Sequence, residues 1–322
     1  MRRIAVINQK GGVGKTTTAA NLGAALARAG QRVLLIDLDP QAHLTLHYGV
    51  ELAEEQPSIY DVLVRSAPIG QAALVRGNVT LVPSDIGLAA AEAELISVTG
   101  REVILREAVT SLAAEHDVML IDCPPSLGLL TINALVAASE VVVPLQAHFF
   151  ALQGVSRLLD TVTLVRQRIN PNLSVAGIVL CMHEASTKLA SEVVDDVERF
   201  VEGARGKPVA WAEARIYKTR IRRNIKLAES SSYGQTVFDY AIRSHGALDY
   251  ANLAAEIFDI DLGVVLADPQ ADASPGASTP PVIQPRIVPP PALPPSRSTV
   301  FDSPRISADD ERRGQIAAAG RG

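Results

Sequence analysis

Cysteine is nearly absent: Cys123 and Cys181 are the only two in 322 residues, which excludes a disulfide-stapled secreted domain. Each sits inside an apolar run, where a buried, reduced thiol is the simplest reading. Aromatic residues reach only 4% against 48% hydrophobic residues overall, so a large core is available but it must be aliphatic. Long apolar runs are missing too. The N-terminus, MRRIAVINQKGG, has no apolar segment long enough for a signal sequence, and the stretch Leu127 to Leu145 is interrupted by Asn133, Glu140 and Pro144. That pattern reads as a helix, a turn and a buried strand, and a cytoplasmic location is expected. Basic residues are not in excess either, with 30 against 35 acidic ones and a net charge of −5. Taken as an average, that balance argues against nucleic acid or an anionic membrane as a partner.

Proline is present but unevenly spread. Eleven of the 20 prolines follow Gly263, in a segment whose only aromatic residue is Phe301. Such a segment cannot offset its chain entropy by burial, so residues 263–322 are expected to form a proline-rich disordered tail behind a folded unit of residues 1–262. Within that unit, short β-branched runs alternate with Ala/Leu-rich stretches. The strand candidates are Arg3 to Asn8, Arg32 to Asp37, Val79 to Pro83, Asp117 to Asp122, Glu140 to Leu145 and Val175 to Met182. Helices are expected over Thr16 to Ala29, Gly100 to Ala114, Ala151 to Ile169 and Ser186 to Val201. Continuous apolar strands joined by helices imply an α/β fold, with a doubly wound, mainly parallel sheet covered by helices on both faces.

The first strand runs into QKGGVGKTTT, which opens the first helix. Backbone N–H groups of Gly11, Gly12, Val13 and Gly14 can curl around phosphate oxygens, and the helix N-terminus favours negative charge. Lys15 is placed to pair with the β and γ phosphates and Thr16 to offer its hydroxyl to Mg²⁺; Thr17 joins them in the same first turn. In G-x-x-x-x-G-K-[ST] the first glycine would stand where Gln9 is, and Lys10 precedes the paired glycines instead. Three acids complete the pattern. The second strand ends in DLDPQ, with Asp37 and Asp39, and another ends in DCPPS, with Asp122. An acid closing an apolar strand is the arrangement that holds Mg²⁺ directly or through water, at the sheet edge where ligands bind in open α/β folds.

With KGGVGKTT, DLDPQ, PSDIGLAAAEAEL, IDCPPSLGLLTINAL and FFALQGVSRLL in order, the chain resembles the ParA/Soj partition ATPases of the ParA/MinD class. In that class the P-loop is of the deviant Walker A type, K-G-G-x-G-K-T. The resemblance covers nearly all of residues 1–262. It implies ATP and Mg²⁺ as cofactors and a sandwich homodimer formed on ATP binding, with Lys10 reaching the partner's phosphates. It also implies that Asp39 positions the attacking water, while Asp37 and Asp122 serve the metal. Those roles match what phosphoryl transfer requires, namely charge neutralisation and an oriented nucleophile.

The resemblance further implies non-specific DNA binding through the C-terminal part, a nucleoid-associated location and a ParB-like activating partner. Arg205, Lys207, Arg215, Lys218, Arg220, Arg222, Arg223 and Lys226 oppose a single acid, Glu213, in 22 residues. That one-sided strip is suited to a phosphate backbone. The candidate contacts are Lys218, Arg220, Arg222, Arg223 and Lys226, with Lys188 and Arg243 beside them. Related chains commonly carry I-P-R-N where Ile221, Arg222, Arg223 and Asn224 stand here. Two alternatives remain open at this point: positioning of a different cargo on the nucleoid, and a MinD-like membrane-associated role. The second lacks its basic amphipathic C-terminal helix, which the prolines preclude, so no membrane partner is expected.

Overall fold

The computed structural model describes residues 1–148, 151–183 and 188–267, with the side chains of 151 and 188–191 set aside. Its sheet has eight strands: β1 (Arg2–Val6), β2 (Val33–Asp37), β3 (Leu74–Arg76), β4 (Val79–Val82), β5 (Val118–Asp122), β6 (Glu140–Gln146), β7 (Ser174–Cys181) and β8 (Arg215–Ile216). Their spatial order is β3-β4-β2-β5-β1-β6-β7-β8. Every neighbouring pair is parallel except β3 with β4. The six strands expected from apolar runs are all present. The two additional ones are short edge strands that lack such runs.

Both faces of the sheet are covered, which explains the unbroken hydrophobicity of the strands. In β2, Leu34 and Ile36 point into one cluster with Ile59, Leu105 and Leu135. Val33 and Leu35 point into the other, with Leu22, Leu26 and Leu253. Each buried leucine or isoleucine side chain contributes about 1.5–3 kcal/mol, so the central strands anchor whatever their ends carry. The first helix, α1 (Lys15–Arg28), lies on the second of these faces.

One expected helix is shorter than its composition suggests. Residues 100–114 form a helix only over Ile104–Ala108, followed by a 3₁₀ turn at Val109–Leu112. Thr110 and Ser111 hydroxyls donate to the carbonyls of Arg106 and Ala108, a local competition that disfavours regular helix. The packed body also continues past Leu262. Leu262–Leu266 forms a further helical turn with Val265 buried, and Arg28 Nε donates to the Val265 carbonyl at 2.7 Å. Residues 268–322, which hold most of the expected tail, lie outside the described residues. Among the described residues no helix is long and apolar enough to cross a membrane.

Candidate nucleotide site

The end of β1 is braced before the glycine loop begins. Asn8, buried, donates from Nδ2 to the Pro144 carbonyl at 2.7 Å and accepts from the Lys10 backbone N–H at 3.0 Å. This fixes the start of the loop against β6. Gly12 and Gly14 then have φ of 73° and 95°, left-handed conformations that a side chain would strain. Gly14 is the N-cap of α1 with no side-chain cap, so the first-turn N–H groups are turned toward the loop's concave side. The two lysines of the loop differ sharply. Lys10 is exposed, whereas Lys15 is only 6% exposed and its Nζ donates to the Lys10 carbonyl at 3.3 Å. Burial lowers the Lys15 pKa, and the fields of Asp122 and Asp39 oppose that shift.

The acids converge because β2 and β5 are neighbours in register, with Asp37 opposite Asp122. Both are fully buried, yet their surroundings differ. Asp37 Oδ1 accepts from the Asp39 N–H at 3.1 Å, and Oδ2 accepts from the Thr45 N–H at 2.8 Å and the Thr45 hydroxyl at 2.7 Å. Neither oxygen of Asp122 accepts a hydrogen bond of ordinary geometry, although the Thr16 hydroxyl lies close enough to favour its charged form. Desolvation pushes the Asp37 pKa up to about 6 against those hydrogen bonds. Desolvation and then the Asp37 charge push Asp122 well above the carboxylate range, while nearby Thr16 and Lys15 pull it back. A buried carboxyl with two unpartnered oxygens beside Thr16 is the local feature that suits a divalent cation. Asp39, also buried, accepts from the Gln41 N–H at 3.0 Å.

Two hollows flank the loop. One, of about 490 Å³, is lined by Asn8, Gln9, Lys10, His148 and Arg157. The other, about 410 Å³ and mainly apolar, is walled by Thr17 of α1, Cys181, Ile221, Asn224, Leu227 and Tyr250. Cys181 is buried there as a free thiol with its pKa pushed up to about 12. Sequence reasoning missed this pocket, since its walls come from distant segments with no shared motif. It also missed Asn8, Thr45 and Glu92. Glu92 lies in PSDIGLAAAEAEL, and its Oε1 accepts from the Leu130 N–H at 3.3 Å, capping the helix Leu129–Ala137 that follows DCPPS.

The basic strip is less one-sided in space than along the chain. Arg222 forms a bidentate pair with buried Asp249, its Nη2 lying 2.6 Å from Oδ1. Lys226 pairs with Glu229 at 2.7 Å. Arg205 meets Glu202 and Glu213, and the carboxylate of Glu256 accepts from the N–H groups of Lys218 and Thr219. Arg220 contacts His183 Nε2 at 3.1 Å. Lys218, Arg220, Arg223 and Arg243 are exposed; the side chain of Lys188, at the start of the helix Lys188–Glu202, lies outside the described residues. Arg222 and Lys226 therefore have internal partners that a count along the chain does not reveal.

A parallel sheet whose first strand feeds a glycine loop and helix, with buried acids closing two adjacent strands, defines a P-loop nucleoside triphosphatase. Residues 1–175 match the family described as "AAA domain". The chain is 44% identical over 256 residues to the sporulation initiation inhibitor protein Soj of Bacillus subtilis, covering 79% of this chain and 97% of that protein. It is 40% identical over 264 residues to the chromosome partitioning protein ParA of Myxococcus xanthus, covering 81% and 89%. Its fold is similar to a crystal structure described as cobyrinic acid a,c-diamide synthase of Mycobacterium smegmatis with bound ATP analog and magnesium. That match has 37% identity and a TM-score of 0.66, and covers 79% of this chain and 93% of that one. The chain belongs to the ParA/Soj family of ATPases.

Proposed function

We propose that the protein is a Mg²⁺-dependent partition ATPase whose ATP-bound homodimer holds DNA without sequence preference and lets go on hydrolysis, with a ParB-like activator setting the timing. The carrying observation is the buried Lys15, whose Nζ reaches back to the Lys10 carbonyl of the glycine loop while the charge of buried Asp122 acts on it. ATP and Mg²⁺ are supported by the relative solved with an ATP analog and magnesium, and partition by the names of the curated relatives.

In this reading Gly11, Gly12, Val13 and Gly14 receive the phosphates on backbone N–H groups, Lys15 neutralises the charge that develops on the transferred group, and Thr16 with Asp122 holds the metal. Mg²⁺ supplies charge neutralisation at the phosphate oxygens. Among the described residues no three His, Cys, Asp or Glu side chains form a metal cage by themselves. The remaining ligands would be phosphate and water, as Mg²⁺ prefers. Thr17 and the apolar hollow beside it are suited to the purine ring. Asp39 orients the water, and exposed Lys10 serves the partner's phosphates, so that turnover depends on dimerisation.

Asp39→Ala is expected to bind ATP and accumulate as a dimer without turnover. Light scattering with ATP tests this, and a variant that hydrolyses ATP like the wild type removes the role given to Asp39. On the DNA side, Lys218 and Arg220 are the better candidates, because Arg222 and Lys226 are held by Asp249 and Glu229. The double variant K218E/R220E is expected to weaken ATP-dependent DNA retention and lower the slope of log K against log salt by about 1 for each phosphate no longer neutralised. Unchanged retention and slope would move the DNA surface elsewhere.

A further inference from the structure

The side chain of Thr45 has no role in the family resemblance, yet it holds three parts of the site together. It lies in the helix α2 (His43–His47), eight residues beyond Asp37, and is buried. Its hydroxyl donates to Asp37 Oδ2 at 2.7 Å and accepts from the Ser84 N–H at 2.9 Å. Because Ser84 can only donate there, the hydroxyl proton is committed to Asp37. One side chain thus joins the end of β2, the start of α2 and the segment after β4.

Asp39 stands between these fixed points. The Asp37 carboxylate accepts from the Asp39 N–H at one oxygen and from Thr45 at the other, so the loop carrying Asp39 is held at both ends by one buried group. Inside the loop the Ala42 N–H donates to the Asp39 carbonyl at 2.9 Å, and Ala42 takes a left-handed φ of 53°. With both oxygens engaged, Asp37 is occupied in bracing backbone, whereas Asp122 keeps its oxygens unpartnered.

We propose that Thr45 is a positioning residue for ATP hydrolysis, acting with Asp37 to fix the Asp39 loop in the geometry that orients water. This rests on the reading of Asp39 given above. A shift of about 1 Å at such a group can cost a hundredfold in rate, while nucleotide binding, which is assigned to the glycine loop and Lys15, does not depend on it.

The test is steady-state ATP hydrolysis and nucleotide binding by T45V and T45S. T45V keeps the backbone donor and the β-branched shape but loses the hydroxyl. Its kcat is expected to fall about 10- to 100-fold with KM for ATP unchanged, and T45S to return within about 2-fold of wild type. A merely structural loss would lower stability without that separation of kcat from KM and without recovery by serine. Adding T45V to D39A should lower the residual rate no further. Wild-type kcat in T45V, with D39A inactive, overturns the proposal and leaves Asp39 in place; an active D39A overturns the reading of Asp39 itself. Should T45V fail to fold, hydrogen exchange on the wild type decides: the amides of Asp39 and Thr45 are expected to be protected like those of β2, and rapid exchange at both overturns the clamp.

Discussion

Lys15→Ala should reduce ATP hydrolysis by about 100- to 1,000-fold, since one preorganised group acting on developing charge is worth that much in a water-poor site. The expectation follows from where the side chain is held. An ammonium that is 6% exposed is costly to keep charged, and its pKa is lowered by that burial. Asp122 and Asp39 offset the cost, leaving a buried cation aimed at the glycine loop. A surface lysine would be screened by water and salt and contribute far less. The measurement is phosphate release under saturating Mg²⁺ and ATP, with circular dichroism to confirm folding. A folded K15A protein within about 3-fold of wild-type activity would falsify the assignment of this loop, because no other lysine with a described side chain is buried.

The glycine loop was legible in the chain because each of its requirements is local: a strand end, glycines at fixed offsets, a lysine and a helix start. The central strands were legible for a similar reason, since burial on both faces writes an uninterrupted apolar run. β3 and β8 were not, being three and two residues long at or near sheet edges, where Val75 is 72% exposed and the run of apolar residues disappears. Asp37 and Asp122 were recognisable as strand-end acids, but their different surroundings were not. Those depend on Thr45 and the Asp39 N–H engaging the Asp37 carboxylate while Asp122 accepts no hydrogen bond of ordinary geometry, which is a fact of three-dimensional neighbours.

The basic strip shows the same limit with larger consequences. Between Arg205 and Lys226 the chain carries eight cations and one acid. The compensating groups, Glu202, Asp249, Glu256 and Glu229, come from outside those 22 residues. Asp249 lies 27 positions from Arg222, on the helix His245–Phe258, so no window of the sequence would pair them. The pair is bidentate and its acid is buried, geometry that restrains Arg222 more than an exposed ion pair would. The charge that remains outward is concentrated on fewer residues than the linear count implies.

Asp122→Asn should change activity and stability in opposite directions. Loss of the charged oxygens from the metal position is expected to lower hydrolysis by at least about 100-fold. In the nucleotide-free protein the same change should stabilise the fold by about 1 kcal/mol at pH 8, because the desolvation of the Asp122 carboxylate outweighs the charge it lends to buried Lys15. The pH dependence has a definite sign. Asp37 and Asp122 have folded pKa values raised above the ordinary 3.8, Asp37 to about 6. From pH 4 upward the unfolded chain gives up these protons before the folded one, so stability falls as pH rises, through about pH 6 for Asp37 and further for Asp122. The stabilisation by D122N should therefore be small near pH 4 and grow toward pH 8, which thermal melts across that range would measure. Mg²⁺ added with ATP should stabilise the wild type beyond ATP alone, and this increment should vanish in D122N. A variant that keeps the Mg²⁺ increment would place the cation on other groups, and one less stable than wild type at pH 8 would show that the support Asp122 gives Lys15 outweighs its desolvation.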